Sequence, residues 1–172
     1  MQKRKSISQE YLKSILDYVP STGEWRWRYR EGLRGAVNVR EAGTKAGTVH
    51  HGYTLIMIDG RQYRSHRLAF IYMLGRDPVG DVDHIDMDRS NCRWANLREA
   101  TRSQNHANKG RRSDNKSGIK GVAFYPKLGK WRAKIQVKTK CVHIGLFETK
   151  EAAADAYAAA AKMHFGEFAR PS

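Results

Sequence analysis

The spacing of apolar residues at the start of the chain indicates a helix. Apolar side chains recur at intervals of three and four positions, at Tyr11, Leu12, Ile15, Leu16 and Val19. Ser8 comes just before this stretch and has the side chain of a helix N-cap, and Pro20 follows it. The pattern therefore predicts one helix between Ser8 and Pro20, with its apolar face in a core.

Residues 25–30 alternate aromatic and basic side chains in the order Trp-Arg-Trp-Arg-Tyr-Arg. A strand with this order has its aromatic rings on one face and its arginines on the other. Two interpretations stay open at this point. Either the rings pack inward and the arginines are solvated, or the arginines contact phosphate groups.

A β-hairpin and a helix are predicted next. The strand-like runs 53–58 and 61–64 are joined by Asp59-Gly60, a dipeptide favoured in tight hairpin turns. An apolar stretch at 67–74 follows and stops at Gly75, which is typical of a helix that ends in a glycine. We expect these elements to form the scaffold of the first half of the chain.

The second half predicts three strands followed by a helix. Residues 119–125, 130–137 and 141–147 suit strands, and in the middle run apolar residues alternate with basic or polar ones. Thr149 can cap a helix that stops at Gly166. This helix carries a stripe of mostly small residues at Ala152, Ala153, Ala156, Ala160 and Met163. Since small side chains let a helix lie close to a sheet, we expect a three-stranded antiparallel sheet packed on one helix.

A stretch without apolar residues separates the two halves. Residues 110–118 consist of glycine, serine, asparagine, aspartate, lysine and arginine, a composition typical of a linker. We therefore predict a first domain at 1–110 that includes an N-terminal extension, a basic linker at 111–116, and a second domain at 117–172. The fold class is α+β.

Composition and charge narrow the possible partners. The chain has 172 residues, 40% of them hydrophobic, which is enough for one ordinary domain or two small ones. It carries 32 Lys and Arg against 17 Asp and Glu, a formal charge of +15. Such an excess predicts a polyanionic partner. The excess is greatest between Ser103 and Lys140, where Asp114 is the only acid.

Other features exclude some classes of protein. No apolar run approaches the length of a membrane span, about 20 residues, and the first residues lack the apolar core of a signal peptide. We therefore expect a cytoplasmic protein with no membrane partner. Cys92 and Cys141 form no Cys-x-x-Cys motif, so neither a disulfide framework nor a common structural zinc site is predicted.

Acids, amides and histidines are concentrated in residues 82–108, in a chain that is otherwise strongly basic. A surface that only binds phosphate would avoid the acids. Thr101 and Gln104 fit a capping box, which begins a short helix and places Asn105 in its first exposed turn. The predicted order is strand, loop, strand, helix, with Asp86 and Asp88 as turn residues of the loop.

These residue types suit the hydrolysis of a phosphodiester bond. The reaction needs an activated water, a Lewis acid and a scaffold that fixes the base. His84 can accept a proton near neutral pH, whereas Asp83 and Asn105 offer oxygen ligands suited to Mg²⁺ or Mn²⁺. Asn96 can hold the loop and orient His84. Because adjacent residues of a strand point to opposite faces, Asp83 and His84 need a local bend to serve one site.

The spacing of Asp83-His84, Asn96 and Asn105 resembles that of the HNH endonuclease family. It is most similar to the phage homing endonuclease branch, in which the last histidine is replaced by asparagine. The resemblance covers residues 52–108 and extends to His66-Arg67-Leu68-Ala69-Phe70.

The resemblance implies a ββα-metal fold and a role for each site residue. His84 is implied as the general base, Asn96 as the structural amide, and Asp83 and Asn105 as ligands of one divalent ion, Mg²⁺ or Mn²⁺. No small-molecule cofactor is expected. His106 follows Asn105, and the two lie about 100° apart on a helix, so one of them faces the metal and we favour Asn105. For His66, packing or capping remains as good an interpretation as a functional role.

Residues 117–168 resemble the DNA-binding domain of plant ethylene-response factors. The similarity is carried by Gly118-Ile119-Lys120-Gly121-Val122, by 129–135, by 144–149 and by 151–157. It implies a sheet that presents side chains to double-stranded DNA. The implied DNA face consists of Lys120, Tyr125, Arg132, Lys134, Gln136 and His143.

The sequence thus predicts a metal-dependent DNA endonuclease with a C-terminal sheet that delivers it to DNA. A phage-type homing or free-standing mobile endonuclease is the favoured interpretation, which would act in the host cytoplasm if it is phage-encoded. Two alternatives stay open. One is a DNA-binding regulator that does not cleave, in which Asp83-His84 is a structural remnant; the other is a restriction endonuclease, which shares the chemistry.

Overall fold

The computed structural model describes residues 7–29, 42–111 and 113–170. The chain divides into two compact units, Met1–Glu99 and Ala100–Ser172. This division lies before the predicted boundary near residue 110, and the whole predicted linker at 111–116 falls inside the second unit. The assignment of nuclease and DNA-binding roles to the two parts of the chain stays a prediction.

The first unit combines short helices with small sheets. Its elements are α1 (Gln9–Ile15), β1 (Leu16–Val19), β2 (Glu24–Trp27), β3 (Thr48–His50), β4 (Tyr53–Ile58), β5 (Arg61–Arg64), α2 (Ser65–Leu74), β6 (Asp81–His84), a 3₁₀ turn (Trp94–Asn96) and β7 (Leu97–Ala100). Strands β1 and β2 form one antiparallel pair, β3-β4-β5 form an antiparallel sheet, and β6 pairs with β7.

The first helix begins as predicted but ends earlier. The Oγ of Ser8 accepts a hydrogen bond from the backbone N–H of Tyr11, so Ser8 is the N-cap. The helix stops at Ile15, and the next four residues form β1. The prediction of helix up to Pro20 is therefore wrong. The cause is tertiary: β1 pairs with β2 and brings the buried rings of Tyr18 and Trp25 to 4.6 Å between centroids.

In the described part of the alternating stretch, residues 25–29, the contacts favour the interpretation in which the rings pack inward. Trp25 is buried, and its indole N–H donates to Ser65 Oγ at 2.8 Å. The exposed guanidinium of Arg26 lies 3.5 Å from Glu24 and donates to the carbonyl of Gly43. The strand ends at Trp27, and Arg30 lies outside the described residues.

The predicted hairpin and its helix are confirmed. Strands β4 and β5 pair antiparallel, with Ile58 opposite Arg61. Asp59 and Gly60 join them with φ angles of 49° and 72°, the left-handed conformations of a type I′ turn. Helix α2 follows at once and ends at Gly75, whose φ of 72° and N–H bond to Ile71 make it the expected C-cap.

A hydrophobic core holds these elements together. Its most deeply buried members come from α1, β1, β2, β4 and α2, and they are Leu12, Leu16, Trp25, Ile56, Ile58 and Leu68. Full burial of one such side chain contributes about 1.5–3 kcal/mol. The core thereby fixes β4 and α2, which carry the rings of Tyr53 and His66 that pack near His84.

The second unit contains α3 (Arg102–Asn108), β8 (Val122–Tyr125), β9 (Lys130–Val137), β10 (Lys140–Phe147) and α4 (Lys150–Phe165). The strands form an antiparallel sheet in the order β10-β9-β8, as predicted. The first strand begins at Val122 rather than at residue 119. Gly121 precedes it with a φ of 74°, and a Cβ at this position would overlap the ring of Tyr157. Only glycine allows this close approach to α4.

The core of the second unit lies between the sheet and α4. Ala133 and Ile135 of β9 are buried, while Lys134 and Gln136 between them are exposed, so the predicted alternation is confirmed. The buried stripe of α4 consists of Ala153, Tyr157, Ala161 and Phe165. The predicted stripe was wrong in part. Ala152 is exposed and Met163 is 75% exposed, because both lie off the face that packs on the sheet. Ala107 of α3 also belongs to this core.

None of the helices in the described ranges has both the length and the apolar character needed to cross a membrane.

Candidate active site and nucleic-acid interface

The short strand β6 carries the two central residues of the candidate site. Asp83 and His84 are 3% and 5% exposed, and Val82 before them is also buried. A strand whose consecutive residues are all buried is covered on both of its faces. The strand is extended by a hydrogen bond from the N–H of Ile85 to the carbonyl of Asn96, at 2.9 Å. Asp83 and His84 are therefore buried on a paired strand of the first unit.

The carboxylate of Asp83 forms an ion pair with Arg98 of β7. The Nε of Arg98 donates to Oδ2 of Asp83 at 2.9 Å, and the two side chains are only 14% and 4% exposed. A buried carboxylate needs such a partner, because an uncompensated charge in the interior is costly. Sequence reasoning missed Arg98. The available signal was a lone arginine in the strand predicted to follow the loop after Asp83.

The imidazole of His84 lies in a cluster of rings. Its centroid is 5.0 Å from that of His66, with the planes at 90°, and 6.3 Å from that of Tyr53. Burial lowers the pKa of His84 and outweighs the carboxylates of Asp86, Asp83 and Asp88, which raise it. His84 is therefore neutral near pH 7, the form that can accept a proton.

The structure shows that His66 packs and does not cap. It is 4% exposed, and α2 has no side-chain cap. Burial lowers the pKa of His66 to about 3, and the charges of His84, Arg64 and Arg67 act in the same direction. His66 is thus a neutral ring that supports His84 from the side.

Asp83 and His84 have different neighbours. The carboxylate of Asp83 contacts Arg98, whereas the ring of His84 contacts His66 and Tyr53. This is the arrangement expected for adjacent residues of an extended strand, so a single site that uses both side chains stays a prediction.

Asn96 organises the loop between β6 and β7. Its Oδ1 accepts from the N–H of Asp86 at 3.1 Å, and its Nδ2 donates to Asp86 Oδ1 and to the carbonyl of Asn91, both at 2.9 Å. The side chain of Asn96 therefore links Asp86 and Asn91, two residues of the loop that follows His84. The amide of Asn96 holds the backbone directly after the candidate base.

The two other aspartates of the loop are turn residues, as predicted. Asp86 accepts hydrogen bonds from Asn96, from Asn91 and from the N–H of Asp88. Partial burial raises the pKa of Asp86, but these hydrogen bonds outweigh it and hold the pKa below its ordinary value. Asp88 accepts from both the N–H and the hydroxyl of Ser90.

The helix that carries Asn105 begins with the predicted capping box. Thr101 Oγ1 accepts from the N–H of Gln104 at 3.3 Å, and Gln104 Oε1 accepts from the N–H of Thr101 at 2.8 Å. Asn105 is half-buried, whereas His106 is exposed. Both belong to the second compact unit, while Asp83, His84 and Asn96 belong to the first.

The donor chemistry of the predicted metal ligands suits a hard cation. Asp83 offers carboxylate oxygens and Asn105 an amide oxygen, the donors that Mg²⁺ and Mn²⁺ prefer. In the described ranges no group of three or more His, Cys, Asp or Glu side chains is arranged to hold a metal ion. A set of one carboxylate and one amide leaves coordination positions for water and phosphate, so these residues fit the ion by their chemistry.

Most of the predicted DNA face lies on the outer side of the C-terminal sheet. Lys134 and Gln136 are exposed on β9, and exposed His143 of β10 is paired with Lys134. The guanidinium carbon of Arg132 lies 5.6 Å from the centre of the half-buried Tyr125 ring. The Nε of Arg132 is buried and has no hydrogen-bond partner within the described part of the chain. The sheet therefore presents cationic and polar groups on one side.

Lys120 is used differently from what the sequence predicts. Its ammonium group donates to the carbonyls of Ala107 and Lys109 at 2.6 Å and of His106 at 3.1 Å. An ammonium has three hydrogens, so the end of α3 takes all of them. In this structure the ammonium of Lys120 is bonded to the end of α3, and its contact with DNA stays a prediction.

Comparison with known proteins finds similarity around the candidate site. The HNH endonuclease family matches residues 63–107, which contain α2, β6, the loop and the α3 residue Asn105. A protein of Acanthamoeba polyphaga mimivirus, named as an uncharacterized HNH endonuclease, is 39% identical over 108 residues. That match covers 60% of this chain and 54% of the relative, so the chain spans about half the length of the relative it matches. No solved structure gives a significant match.

Residues 63–107 are therefore similar to the HNH endonuclease family, and the viral relative carries the same family name.

Proposed function

We propose that this chain is a metal-dependent DNA endonuclease that hydrolyses phosphodiester bonds. The single observation that carries the proposal is the buried Asp83-His84 pair, which lies inside the HNH-matched segment next to a loop held by Asn96. General-base hydrolysis needs a base that is unprotonated near neutral pH, and burial favours this form of His84 by lowering its pKa.

Each residue of the candidate site has a separate role in the proposed hydrolysis. An imidazole nitrogen of His84 accepts the proton of the attacking water, and the rings of His66 and Tyr53 keep the imidazole in place. Asn96 fixes the backbone that follows His84. A divalent ion held by Asp83 and Asn105, Mg²⁺ or Mn²⁺, supplies Lewis-acid stabilisation of the phosphate when it is bound. Arg98 orients the carboxylate of Asp83 through its ion pair.

The C-terminal sheet is proposed to bring double-stranded DNA to this site. Arg132 and Lys134 supply positive charge for the phosphates. Gln136 can form hydrogen bonds with adenine, and His143 can contact a base edge. The sheet of three antiparallel strands packed on one helix supports this assignment, which rests on the resemblance to ethylene-response-factor domains.

A homing or free-standing mobile endonuclease of phage type is the biological role that we propose. A relative named as an HNH endonuclease comes from a virus, which is compatible with this role and with action in a host cytoplasm.

The function is tested by incubating the full chain with supercoiled plasmid in Mg²⁺, in Mn²⁺ or in EDTA. We expect nicked or linear DNA only with metal. His84→Ala should lower the rate by about 10²-fold or more and leave DNA binding unchanged. His164→Ala, which removes an exposed imidazole on α4, is the matched control. A wild-type chain that binds DNA but cuts it with neither ion would instead be a DNA-binding regulator.

A further inference from the structure

Two arginines share one tyrosine ring beside His84. The guanidinium carbon of Arg64 lies 4.8 Å from the centre of the Tyr53 ring, and that of Arg89 lies 5.2 Å from the same centre. The Tyr53 ring itself packs near the rings of His84 and His66. We infer that Arg64 and Arg89 form a clamp for a phosphodiester of the DNA backbone at the cleavage site. This inference rests on the proposed function.

The two guanidinium groups are not used by the fold. Both residues are exposed, and within the described ranges neither side chain makes a hydrogen bond or an ion pair. Other arginines of this unit are engaged: Arg76 pairs with Glu99 and Arg98 with Asp83. Each guanidinium carries five N–H donors in a planar fork that matches the oxygens of a phosphate.

Three aspartates in β6 and in the loop after it already have hydrogen-bond partners. Asp83 is bound by Arg98, Asp86 by Asn96 and Asn91, and Asp88 by Ser90. Two like charges held against one ring repel each other, and a bound anion relieves this repulsion. Within the described ranges, none of these carboxylates forms an ion pair with Arg64 or Arg89.

The local backbone adds to the positive potential. Helix α2 begins at Ser65, directly after Arg64, with no side-chain cap and no acidic residue in its first turn. The N-terminus of a helix carries a partial positive charge that attracts anions. The Nδ1 atom of His66, in the same turn, is buried and has no hydrogen-bond partner among the described residues.

Stacking on Tyr53 orients the clamp before DNA arrives. A guanidinium that lies on an aromatic ring has lost part of its rotational freedom, so less entropy is lost when it binds a phosphate. Arg89 stands in the loop that Asn96 holds, and this loop begins directly after His84. Arg89 and the candidate base His84 are therefore positioned by the same loop and the strand before it.

The test uses the full chain and two measurements. The first is the affinity for a short DNA duplex in EDTA at several KCl concentrations, which does not require cleavage. The second is the cleavage rate at saturating plasmid with Mg²⁺ or Mn²⁺. The variants are R64Q/R89Q, R64K/R89K and Lys13→Gln. Lys13 is the matched control, because its ammonium lies 5.2 Å from the centre of another tyrosine ring, that of Tyr72.

For R64Q/R89Q we expect the slope of log affinity against log salt to become shallower by about 0.9 for each lost phosphate contact. The cleavage rate should fall by about 10²-fold, since donors aimed at the reacting phosphate are removed. R64K/R89K should keep the salt slope and still lose rate, because lysine retains the charge but not the planar fork. Lys13→Gln should resemble the wild type in both measurements.

Three results would overturn the clamp. They are an unchanged salt slope in R64Q/R89Q, a changed slope with an unchanged cleavage rate, or an equal effect of Lys13→Gln. If the wild type cleaves no DNA with either ion but R64Q/R89Q still loses salt slope, the nuclease proposal fails while the phosphate contact stands. The two failures are thus distinguishable, and the circular dichroism of each variant confirms that the fold is retained.

Discussion

The ring of His66 meets the ring of His84 edge to face, with 5.0 Å between the centroids and 90° between the planes. His66 lies on α2 and His84 on β6, so this contact joins the helix to the strand that carries the candidate base. Aromatic pairs prefer this geometry. We therefore assign His66 the role of positioning His84.

His66→Ala should lower the free energy of unfolding by roughly 2–4 kcal/mol, because it leaves a cavity in a closely packed site. It should also lower the cleavage rate at saturating DNA, since His84 loses its lateral support. His66→Phe keeps a ring at this position and should restore most of both properties. Urea unfolding and plasmid cleavage measure the two effects. A cleavage rate in His66→Ala equal to that of the wild type would refute the positioning role.

The proposed metal ligands make a separate prediction. Asp83→Ala and Asn105→Ala should shift cleavage activity to higher concentrations of Mg²⁺ or Mn²⁺, because each removes one oxygen ligand. His106→Ala should leave the metal dependence unchanged. Metal titrations of the three variants decide the ligand. If His106→Ala shifts the titration and Asn105→Ala does not, His106 is the ligand.

Asn96→Ala should loosen the loop that follows His84. It removes the hydrogen bonds to the N–H and Oδ1 of Asp86 and to the carbonyl of Asn91, at an expected cost of about 1–3 kcal/mol. Cleavage should fall as well, because the backbone after the base is no longer held. Ser90→Ala, which removes one exposed hydroxyl from the same loop, is the control. Equal stability of the two variants in urea would contradict the role given to Asn96.

Lys120 and Lys134 should respond differently to the same substitution. Lys120→Met removes the ammonium that bonds three carbonyls at the end of α3, and stability should fall by about 1.5–3 kcal/mol. Lys134→Met changes an exposed residue of the sheet, so it should weaken DNA binding with little effect on stability. Unfolding and DNA-binding curves separate the two. The reverse pattern would restore Lys120 to the DNA face.

The pair of Arg76 and Glu99 predicts a dependence of stability on pH. Hydrogen bonds from Arg76 and from the N–H of Val79 lower the pKa of Glu99 from its ordinary value of 4.5 to about 2. A carboxyl group whose pKa is lower in the folded state stabilises the fold above the ordinary value, and this contribution is lost as the pH falls. The stability difference between wild type and Glu99→Gln should therefore shrink between pH 4.5 and pH 2. A difference independent of pH would contradict this.

Local signals in the sequence determined much of the secondary structure. The turn at Asp59-Gly60, the capping box of Thr101 and Gln104, and the helix stop at Gly75 were all predicted and are present. Each depends on residues at most a few positions apart, whose backbone preferences and hydrogen bonds act within one turn. The candidate chemistry of Asp83 and His84 could also be inferred from residue types and spacing.

Only the tertiary structure decided which distant residues meet. Leu16–Val19 forms a strand because it pairs with β2. The ammonium of Lys120 donates hydrogen bonds to carbonyls at the end of α3. Arg64 and Arg89 came to share the ring of Tyr53. In these cases the local pattern permits several partners of similar energy, and the choice depends on which surfaces the core brings together. Periodicity and composition carry no information about that choice, because it is made by packing between segments far apart in the chain.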